Sequence, residues 1–220
     1  MYAFAQRTDT TVLDEPFYGF YLAHSGVLHP GREDVLEAQS ADELTVKNQI
    51  LNAHDSAVLF VKNMAHHMQL MEEPSIDDAI NVFLIRNPKQ ILASYAQVID
   101  KPVMRDIGIE YQYQLVRALQ VEGEPFVVID SGMLLENPAG VLSQLCHHCA
   151  IAFQEQMLHW PAGPKRYDGV WAEHWYANVH QSTGFAKQST SIRPLPEHLN
   201  DLYQQARRYY EKLLPFSLKA

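Results

Sequence analysis

The segment from Asn81 to Ile99 places a short apolar run, NVFLI, directly before an arginine, an Asn-Pro pair and a helix-forming stretch. This order is typical of a β-strand that runs into an α-helix, with Asn87 as the N-cap residue and Pro88 at the first helical position. Free backbone N–H groups at a helix start bind anions, and Arg86 adds a positive charge there. Ser94 follows Arg86 by eight positions, which brings its hydroxyl near the same helix end. The segment therefore predicts a phosphate-binding site formed by Arg86 and Ser94.

Other short apolar runs have the length and composition of buried β-strands, and helical or loop stretches separate them. The predicted strands are Thr10–Leu13, Ala57–Val61, Asn81–Ile85 and Phe126–Ile129, and the predicted helices are Asp42–Asn52, Pro88–Ile99, Ile107–Val121 and Asn137–Ala150. Strands that alternate with helices in this way predict an α/β fold with a parallel sheet. The mixed stretch between Tyr18 and Ser40 is predicted to be loop. The residues expected to face the core are Leu44, Ile50 and Leu51 in the helix Asp42–Asn52, and Val141, Leu142, Leu145 and Cys149 in the helix Asn137–Ala150.

Ligands of open parallel sheets bind beyond the carboxyl ends of the strands. Glu15, Lys62 and Arg86 all follow or end a predicted strand. We therefore expect these three side chains to share one cleft.

Composition argues against two classes of partner. The net charge of −9 at pH 7 argues against a nucleic-acid groove, which needs clustered Lys and Arg. No apolar run has the length of a membrane-spanning helix, and the first residues lack the basic start and apolar core of a secretory signal. Two cysteines, Cys146 and Cys149, fit a reducing compartment. We expect a cytoplasmic protein without nucleic-acid or membrane partners.

The arginine-to-serine spacing on FLIRNP resembles the 3′-phosphate-binding motif of sulfotransferases that use 3′-phosphoadenosine 5′-phosphosulfate (PAPS). Thr10–Leu22, Ala57–His67 and Asp168–Phe185, in that order, resemble segments of bacterial sulfotransferase-like proteins. The resemblance implies a P-loop nucleotide-kinase-like sandwich, with helices flanking a parallel central sheet. It also implies that Arg86 and Ser94 hold the 3′-phosphate of the cosubstrate PAPS or of adenosine 3′,5′-bisphosphate, with no metal.

In the resembled family, a first strand runs into a loop of small and basic residues that wraps the 5′-phosphosulfate. The helix after that loop begins much as Met1–Arg7 does here. The resemblance therefore implies that the first strand and the phosphate loop are missing, a unit of roughly a dozen residues or more. We expect a single sulfotransferase-like domain over residues 1–220, truncated at its N-terminus, with Met1 an internal methionine of a longer natural chain.

Lys62 matches by position a lysine that lies near the donor in cytosolic sulfotransferases. In that family a histidine follows two positions later and acts as the base, whereas this chain has Met64 there. His66 or His67 would then have to supply the base from the following turn, because imidazole is the natural proton acceptor near neutral pH. Only one of two adjacent histidines on a helix is expected to face the cleft. The alternative role for either is a surface or supporting histidine.

Glu15 is the rival candidate for the base. Its Glu-Pro sequence resembles a segment of carbohydrate sulfotransferases, and a carboxylate in a partly desolvated cleft has a raised pKa, as proton abstraction requires. The alternative is that Asp14 and Glu15 only turn the chain before Pro16.

The segment from Lys165 to Trp171 resembles the stretch that closes over the 3′-phosphate in cytosolic sulfotransferases. This implies that Lys165 and Arg166 clamp the phosphate of the donor, the alternative being a solvated basic turn. The nearby aromatic residues are expected to pack as core, and they are Trp160, Trp171, Trp175 and Tyr176.

Residues 146–149, Cys-His-His-Cys, contain only ligand types for zinc. They lie in a helical pattern with Leu142 and Leu145, and no second ligand pair follows at finger-like spacing. We expect core cysteines and no metal site.

The sequence therefore predicts a protein that transfers a sulfuryl group from PAPS to a hydroxyl or amine of a small molecule or sugar. The alternative is a non-catalytic protein that binds adenosine 3′,5′-bisphosphate, or a decayed enzyme. A kinase is disfavoured because the Walker sequence G-x-x-x-x-G-K-[ST] does not occur. The acceptor and the oligomeric state are left open.

Overall fold

The computed structural model describes residues 1–53, 56–72, 76, 79–96, 101–186 and 194–219. The strands are β1 (Thr10–Asp14), β2 (Val58–Lys62), β3 (Asn81–Ile85) and β4 (Phe126–Asp130). The α-helices are α1 (Tyr18–Ser25), α2 (Arg32–Ala38), α3 (Glu43–Leu51), α4 (Pro88–Tyr95), α5 (Met104–Ile107), α6 (Ile109–Glu122), α7 (Ser131–Glu136), α8 (Pro138–His148), α9 (Ala172–Trp175), α10 (Ala177–His180) and α11 (Asn200–Leu213). Short 3₁₀ helices occupy Phe4–Gln6, Ala65–Met68, Glu155–Leu158, Glu197–Leu199 and Leu214–Phe216.

The predicted α/β class, with parallel strands and flanking helices, is confirmed. The described strands form two parallel pairs, β1 with β2 and β3 with β4. The predicted bounds of β3 are correct, β1 and β4 each extend one residue further at the C-terminal end, and β2 is shifted by one residue at both ends. The last residues of the helix predicted to reach Ile99 lie outside the described residues.

The chain divides into two compact units, each with its own core. Unit 1 comprises Met1–Asp77 and Gln154–Phe185, and unit 2 comprises Asp78–Phe153 and Ala186–Ala220. No helix within the described residues is both long enough and apolar enough to cross a bilayer.

In unit 1, the stretch predicted as loop between Tyr18 and Ser40 instead forms α1 and α2. Consecutive residues at the start of α1 are all buried, from Tyr18 to Leu22. A helix that is buried on every side lacks the 3.6-residue contrast between apolar and polar positions from which helices are predicted. Gly26 ends α1 with a φ of 67°, a conformation that glycine adopts without strain.

Helix α3 begins as predicted but buries a different face. The Asp42 carboxylate accepts the Thr45 N–H at 2.7 Å and caps the helix. Val46 and Ile50 are buried, whereas the predicted core residues Leu44 and Leu51 are 69% and 49% exposed. Of the predicted contacts, only Ile50 is therefore correct.

In unit 2, β3 and β4 pack against α6 and α11. Their shared core is Phe83, Ile85, Ile109, Val116, Val128, Ala206 and Leu213. Helix α8 is capped by Asn137 and buries Val141, Leu142 and Leu145, as predicted. Cys146 is the fully buried cysteine, and Cys149 is only half-buried because it lies at the helix C-cap.

Candidate active site

The carboxyl ends of β1 and β2 bring two acidic residues and a lysine together in unit 1. Asp14 lies opposite Lys62 in the strand register, and Glu15 follows Asp14 directly. The Lys62 ammonium donates to Asp14 Oδ1 at 3.3 Å and forms an ion pair with Glu15 Oε1. Both acidic side chains are buried, and the Lys62 side chain is 28% exposed. Glu15 and Lys62, which the sequence had singled out separately, are therefore direct partners.

Glu15 has a backbone conformation that residues other than glycine rarely adopt, with a φ of 44°. Its N–H donates to the Lys62 carbonyl at 2.7 Å, and its carbonyl accepts from Tyr18 N–H at 3.0 Å and Gln39 Nε2 at 3.1 Å. These bonds hold the turn from β1 into α1. Such a conformation costs about 1–2 kcal/mol, and strain of this kind is concentrated at functional sites. Burial raises the pKa of the Glu15 carboxyl, although the Lys62 charge acts in the opposite direction.

Tyr176 completes this arrangement. Its hydroxyl accepts from Lys62 Nζ at 2.7 Å and lies 2.8 Å from each carboxylate oxygen of Asp14, to which it donates. Glu15 Oε1 is 3.4 Å away. Burial, followed by the charges of Glu15 and Asp14, raises the pKa of Tyr176, so the hydroxyl stays protonated at neutral pH. We call Asp14, Glu15, Lys62 and Tyr176 the lysine cluster.

His66 and His67 lie in the 3₁₀ helix Ala65–Met68, and both are buried. The His67 ring stacks on Tyr18 and Tyr21, at centroid distances of 4.4 and 5.0 Å. His66 contacts the same Tyr21 edge-on at 5.2 Å. Adjacent residues of a tight 3₁₀ turn thus share one aromatic environment.

His67 lies beside the lysine cluster. Its Nδ1 lies 3.7 Å from Glu15 Oε2, and among the described residues this nitrogen has no hydrogen-bond partner. Burial, and then the charges of His66, Lys62 and His29, hold the pKa of His67 well below 6.5. The imidazole is therefore neutral at pH 7 and able to accept a proton.

Asp168 ties the segment that contains Tyr176 to the N-terminal part of unit 1. Its carboxylate accepts from the Tyr2 hydroxyl at 2.8 Å and from the Lys165 N–H at 2.7 Å, and His180 Nε2 lies 3.0 Å away. Residue Gly169 donates its N–H to Asp14 at 3.2 Å. The segment is therefore held by hydrogen bonds to Tyr2 and to Asp14 at the end of β1.

The two basic residues of this segment differ. The Lys165 ammonium donates to the carbonyls of Ala162 and Gly163 at 3.1 and 2.7 Å, which stabilises its own turn. Arg166 is exposed. Of the two, Arg166 presents its charge to solvent.

In unit 2, the predicted strand-to-helix connection is the one from β3 to α4. Asn87 caps the helix through Oδ1, which accepts the Lys89 N–H at 3.0 Å, and Pro88 occupies the first position. The Asn87 carbonyl accepts the N–H groups of Gln90 and Ile91 at 2.9 and 3.3 Å. The capping prediction is correct, but these first N–H groups are bonded to Asn87 rather than free for an anion.

Arg86 is half-buried at the end of β3, and its Nε donates to Gln90 Oε1 at 3.1 Å. Burial lowers its pKa, but arginine remains charged at pH 7. Ser94 lies on the exposed face of α4. An anion at this place would therefore depend on the Arg86 guanidinium and the Ser94 hydroxyl, with little help from the backbone.

The sequence had also singled out tryptophans and two cysteines. Trp160 and Trp171 are buried, in keeping with core packing, and Trp171 packs edge-on against Tyr18 at 5.2 Å. Cys146 and Cys149 are not joined in a disulfide. In the part of the chain that the structure describes, no group of three or more His, Cys, Asp or Glu side chains is placed to hold a metal ion.

The sequence had pointed to Glu15, Lys62 and His67 but not to Asp14 or Tyr176 as site residues. Asp14 was detectable in principle, because parallel strands that both end in charged residues place those residues side by side. Tyr176 carries no local signal, since its partner Lys62 lies 114 positions away.

Comparisons with known proteins agree on the fold. A protein-family model described as a sulfotransferase domain matches residues 1–215. The structure resembles the sulfotransferase domain from the Synechococcus PCC 7002 olefin synthase, with a TM-score of 0.55 and 15% identity, over 87% of this chain and 73% of that chain. At this identity the likeness shows the fold alone.

Two curated relatives from Arabidopsis thaliana have a different kind of name. Branched-chain-amino-acid aminotransferase-like proteins 1 and 2 are 36% and 34% identical to this chain over 216 residues, which is 97% of it. The chain spans 39% and 38% of their lengths. Because the sulfotransferase domain match covers nearly all of this chain, the chain belongs to the sulfotransferase domain family.

Proposed function

We propose that the chain transfers a sulfuryl group from PAPS to a hydroxyl or amine of a small-molecule or carbohydrate acceptor. Membership of the sulfotransferase domain family supports sulfuryl transfer in general. The observation that carries the proposal is the row formed by His67, Glu15 and Lys62. The neutral His67 ring lies 3.7 Å from Glu15, which is ion-paired with Lys62. Sulfuryl transfer needs a base for the acceptor and a cation for the departing phosphate, and this row contains both.

The nucleotide part of the proposal concerns β3 and α4. Arg86 would pair with the 3′-phosphate of PAPS or of adenosine 3′,5′-bisphosphate, and the Ser94 hydroxyl would donate to the same group. The half-buried position of Arg86 supports this role, because a partly desolvated guanidinium binds phosphate more strongly than a fully solvated one. In unit 1, Arg166 is exposed on its turn and would offer its charge to a phosphate of the donor, whereas Lys165 would first have to leave its two carbonyl partners.

In the transfer part, Lys62 supplies positive charge to the bridging oxygen of the phosphate that leaves. As with phosphoryl transfer, positioning and electrostatic stabilisation provide most of the catalysis. The 28% exposure of the Lys62 side chain fits this role, because its neighbours Glu15 and Asp14 are much more buried.

We assign the base to His67, which lies beside Glu15. Its Nδ1 has no hydrogen-bond partner among the described residues, and the lowered pKa keeps the ring neutral at pH 7. The acceptor oxygen or nitrogen forms a bond to sulfur as the bond from sulfur to the phosphate oxygen breaks. The acceptor proton passes to His67, and adenosine 3′,5′-bisphosphate leaves with the electron pair of the broken bond. No further oxidant or reductant is required.

The test is a transfer assay with PAPS labelled on sulfur and a panel of alcohol, phenol, amine and sugar acceptors. His67→Gln is expected to lower the transfer rate roughly 10²- to 10⁴-fold, the usual range for loss of a general base. His66→Gln is the matched control, since it removes the neighbouring imidazole, and Glu15→Gln tests the rival base. A His67→Gln variant with normal turnover would contradict the assignment, and loss of activity only in Glu15→Gln would transfer the role to Glu15.

A second function, binding of adenosine 3′,5′-bisphosphate without transfer, is favoured by one observation. Lys62 already has three partners inside the protein, and His67 is buried, so both groups are occupied or enclosed. Nucleotide binding by calorimetry, with no labelled product from any acceptor, would select this function.

We also propose that the protein works in the cytoplasm. The two cysteines are not joined in a disulfide, and thiols persist where glutathione and thioredoxin keep them reduced. Fractionation of the source cell, with recovery of the chain outside the soluble cytoplasmic fraction, would overturn this location.

A further inference from the structure

The Lys62 ammonium has three N–H donors, and the structure gives each of them a partner. Two partners are carboxylates, Glu15 and Asp14, the latter at 3.3 Å. The third is the neutral hydroxyl of Tyr176 at 2.7 Å. The two carboxylates attract the ammonium from the end of β1, and only the hydroxyl approaches it from a different segment of the chain.

The Tyr176 hydroxyl is itself fixed. It donates to Asp14, the last residue of β1, at 2.8 Å, so its position is tied to a strand rather than to a loop. Tyr176 lies at the junction of α9 and α10, and Gly169, which precedes α9, is also bound to Asp14. The hydroxyl therefore has one orientation, in which its proton points to Asp14 and its lone pair to Lys62.

The ring of Tyr176 contributes as well. Lys62 Nζ lies 5.0 Å from the ring centroid, within the range of a cation–π contact. A lysine side chain has four rotatable bonds and considerable rotamer entropy. Without the hydroxyl, one N–H of the ammonium loses its partner, and the side chain is free to leave the direction that the hydroxyl sets.

We propose that Tyr176 is a positioning residue, whose hydroxyl, held by Asp14, sets the direction of the Lys62 ammonium for sulfuryl transfer. The effect on turnover rests on the proposed function. The orientation of Lys62 does not, and it is measurable without substrate.

The test compares Tyr176→Phe with the native chain by reductive methylation of lysines and peptide mass spectrometry. Removing the hydroxyl takes away one of the three acceptors of the Lys62 ammonium, which leaves one N–H without a partner and opens the amine to the reagent. Labelling of Lys62 is expected to become roughly fivefold faster, the factor that corresponds to one net hydrogen bond. Lys47, which is paired with Glu43 at 2.9 Å, serves as the internal reference and should not change.

The matched control is Tyr209→Phe, which removes a hydroxyl that donates to Glu110 at 2.6 Å in unit 2. It should leave Lys62 labelling and turnover unchanged. With PAPS as donor, Tyr176→Phe is expected to lower kcat about tenfold while KM for PAPS stays within about twofold, because the hydrogen bond acts on a charged group in the transfer step. A purely structural role would lower the melting temperature without this division between kcat and KM.

A folded Tyr176→Phe variant in which Lys62 is labelled at the native rate overturns the proposal, whatever its turnover. If that variant does not fold, Asp14→Asn, which weakens the bond that holds the hydroxyl, takes its place, and unchanged Lys62 labelling in it is equally decisive. Should the native chain transfer no sulfuryl group to any acceptor, the proposed function fails, and the labelling result still decides the role of Tyr176.

Discussion

Glu15 combines a buried carboxylate with a backbone conformation that suits glycine. We therefore predict that Glu15→Gly is more stable than Glu15→Ala by about 1 kcal/mol, since both variants lose the carboxylate but only alanine keeps the strain of a φ of 44°. Urea unfolding of the two variants measures the difference directly. Equal midpoints, or a more stable alanine variant, would show that the turn relaxes and that no strain is stored there.

The lowered pKa of His67 makes a prediction about acid stability. Below about pH 6.5, the ordinary pKa of histidine, the unfolded chain binds a proton at this residue and the folded chain does not. The free energy of unfolding therefore decreases as the pH is lowered. In His67→Asn this contribution is absent. The difference between the native and variant unfolding curves should therefore be constant above pH 7 and decline below pH 6.5.

The variant curve must be subtracted from the native curve because Glu15, whose pKa is raised, contributes a pH dependence of the opposite sign to the free energy of unfolding. Its contribution is complete below its ordinary value of 4.5 and is lost as the pH rises through the folded pKa. The other charged neighbours of His67 are Lys62, His66 and His29, which the variant retains. A difference curve that stays flat between pH 5 and pH 7 would mean that His67 is readily protonated in the folded chain.

At the residue scale, the predictable part of the site is the part encoded locally. Asn87 and Pro88 were identified because capping depends on neighbours within four positions, and Asn87 does cap α4. The φ of Glu15 and the contact of Tyr176 with Lys62 depend on segments distant in sequence. Patterns among neighbouring residues of one sequence give no information about such long-range contacts.

At the scale of elements, the C-terminus of α8 offers a test. The Ile151 N–H donates to the Cys146 carbonyl at 2.9 Å and the Ala150 N–H to the His147 carbonyl at 3.1 Å, which is a Schellman motif. Ala150 occupies the position that usually holds glycine, with a φ of 53°. We predict that Ala150→Gly raises the free energy of unfolding by about 0.5–1 kcal/mol. A thermal melt that shifts downward would contradict this reading of the motif.

The elements that the sequence predicted well share a physical property. Strand β4 is a continuous apolar run that is largely buried, and α8 has both an Asn-Pro start and an apolar stripe, so in these two elements local pattern and final burial coincide. Helix α1 has no such contrast, because its aromatic and aliphatic residues are buried together. Leu44 and Leu51 show the reverse case, in which apolar residues on α3 remain exposed.

For the molecule as a whole, the nucleotide proposal predicts ligand-dependent stability. A ligand at about 100 times its Kd stabilises the folded state by about 2.7 kcal/mol, which for a chain of this size corresponds to roughly 5–10 °C in Tm. Adenosine 3′,5′-bisphosphate should produce this shift in the native chain and in Arg117→Ala, an exposed arginine on α6. In Arg86→Ala, calorimetry should find the affinity lowered roughly ten- to a hundredfold. The same ligand concentration should then stabilise that variant by only about 0.4–1.4 kcal/mol.

The outcome at Arg86 bears on the site without reference to the acceptor. An Arg86→Ala variant that still binds the nucleotide with native affinity would remove Arg86 and Ser94 from the proposed phosphate site. A chain that gains no stability from the nucleotide in any variant would count against PAPS itself as the donor.

The full set of partners around the Lys62 ammonium has one more consequence. Since every N–H of its ammonium is already bonded, an incoming anion must take the place of a carboxylate or of the Tyr176 hydroxyl. If Glu15 is the group displaced, it is left buried without its counter-charge, and it recovers neutrality by capturing a proton from the medium. Anion binding would then consume buffer protons, and the heat measured by calorimetry would vary with the ionisation enthalpy of the buffer.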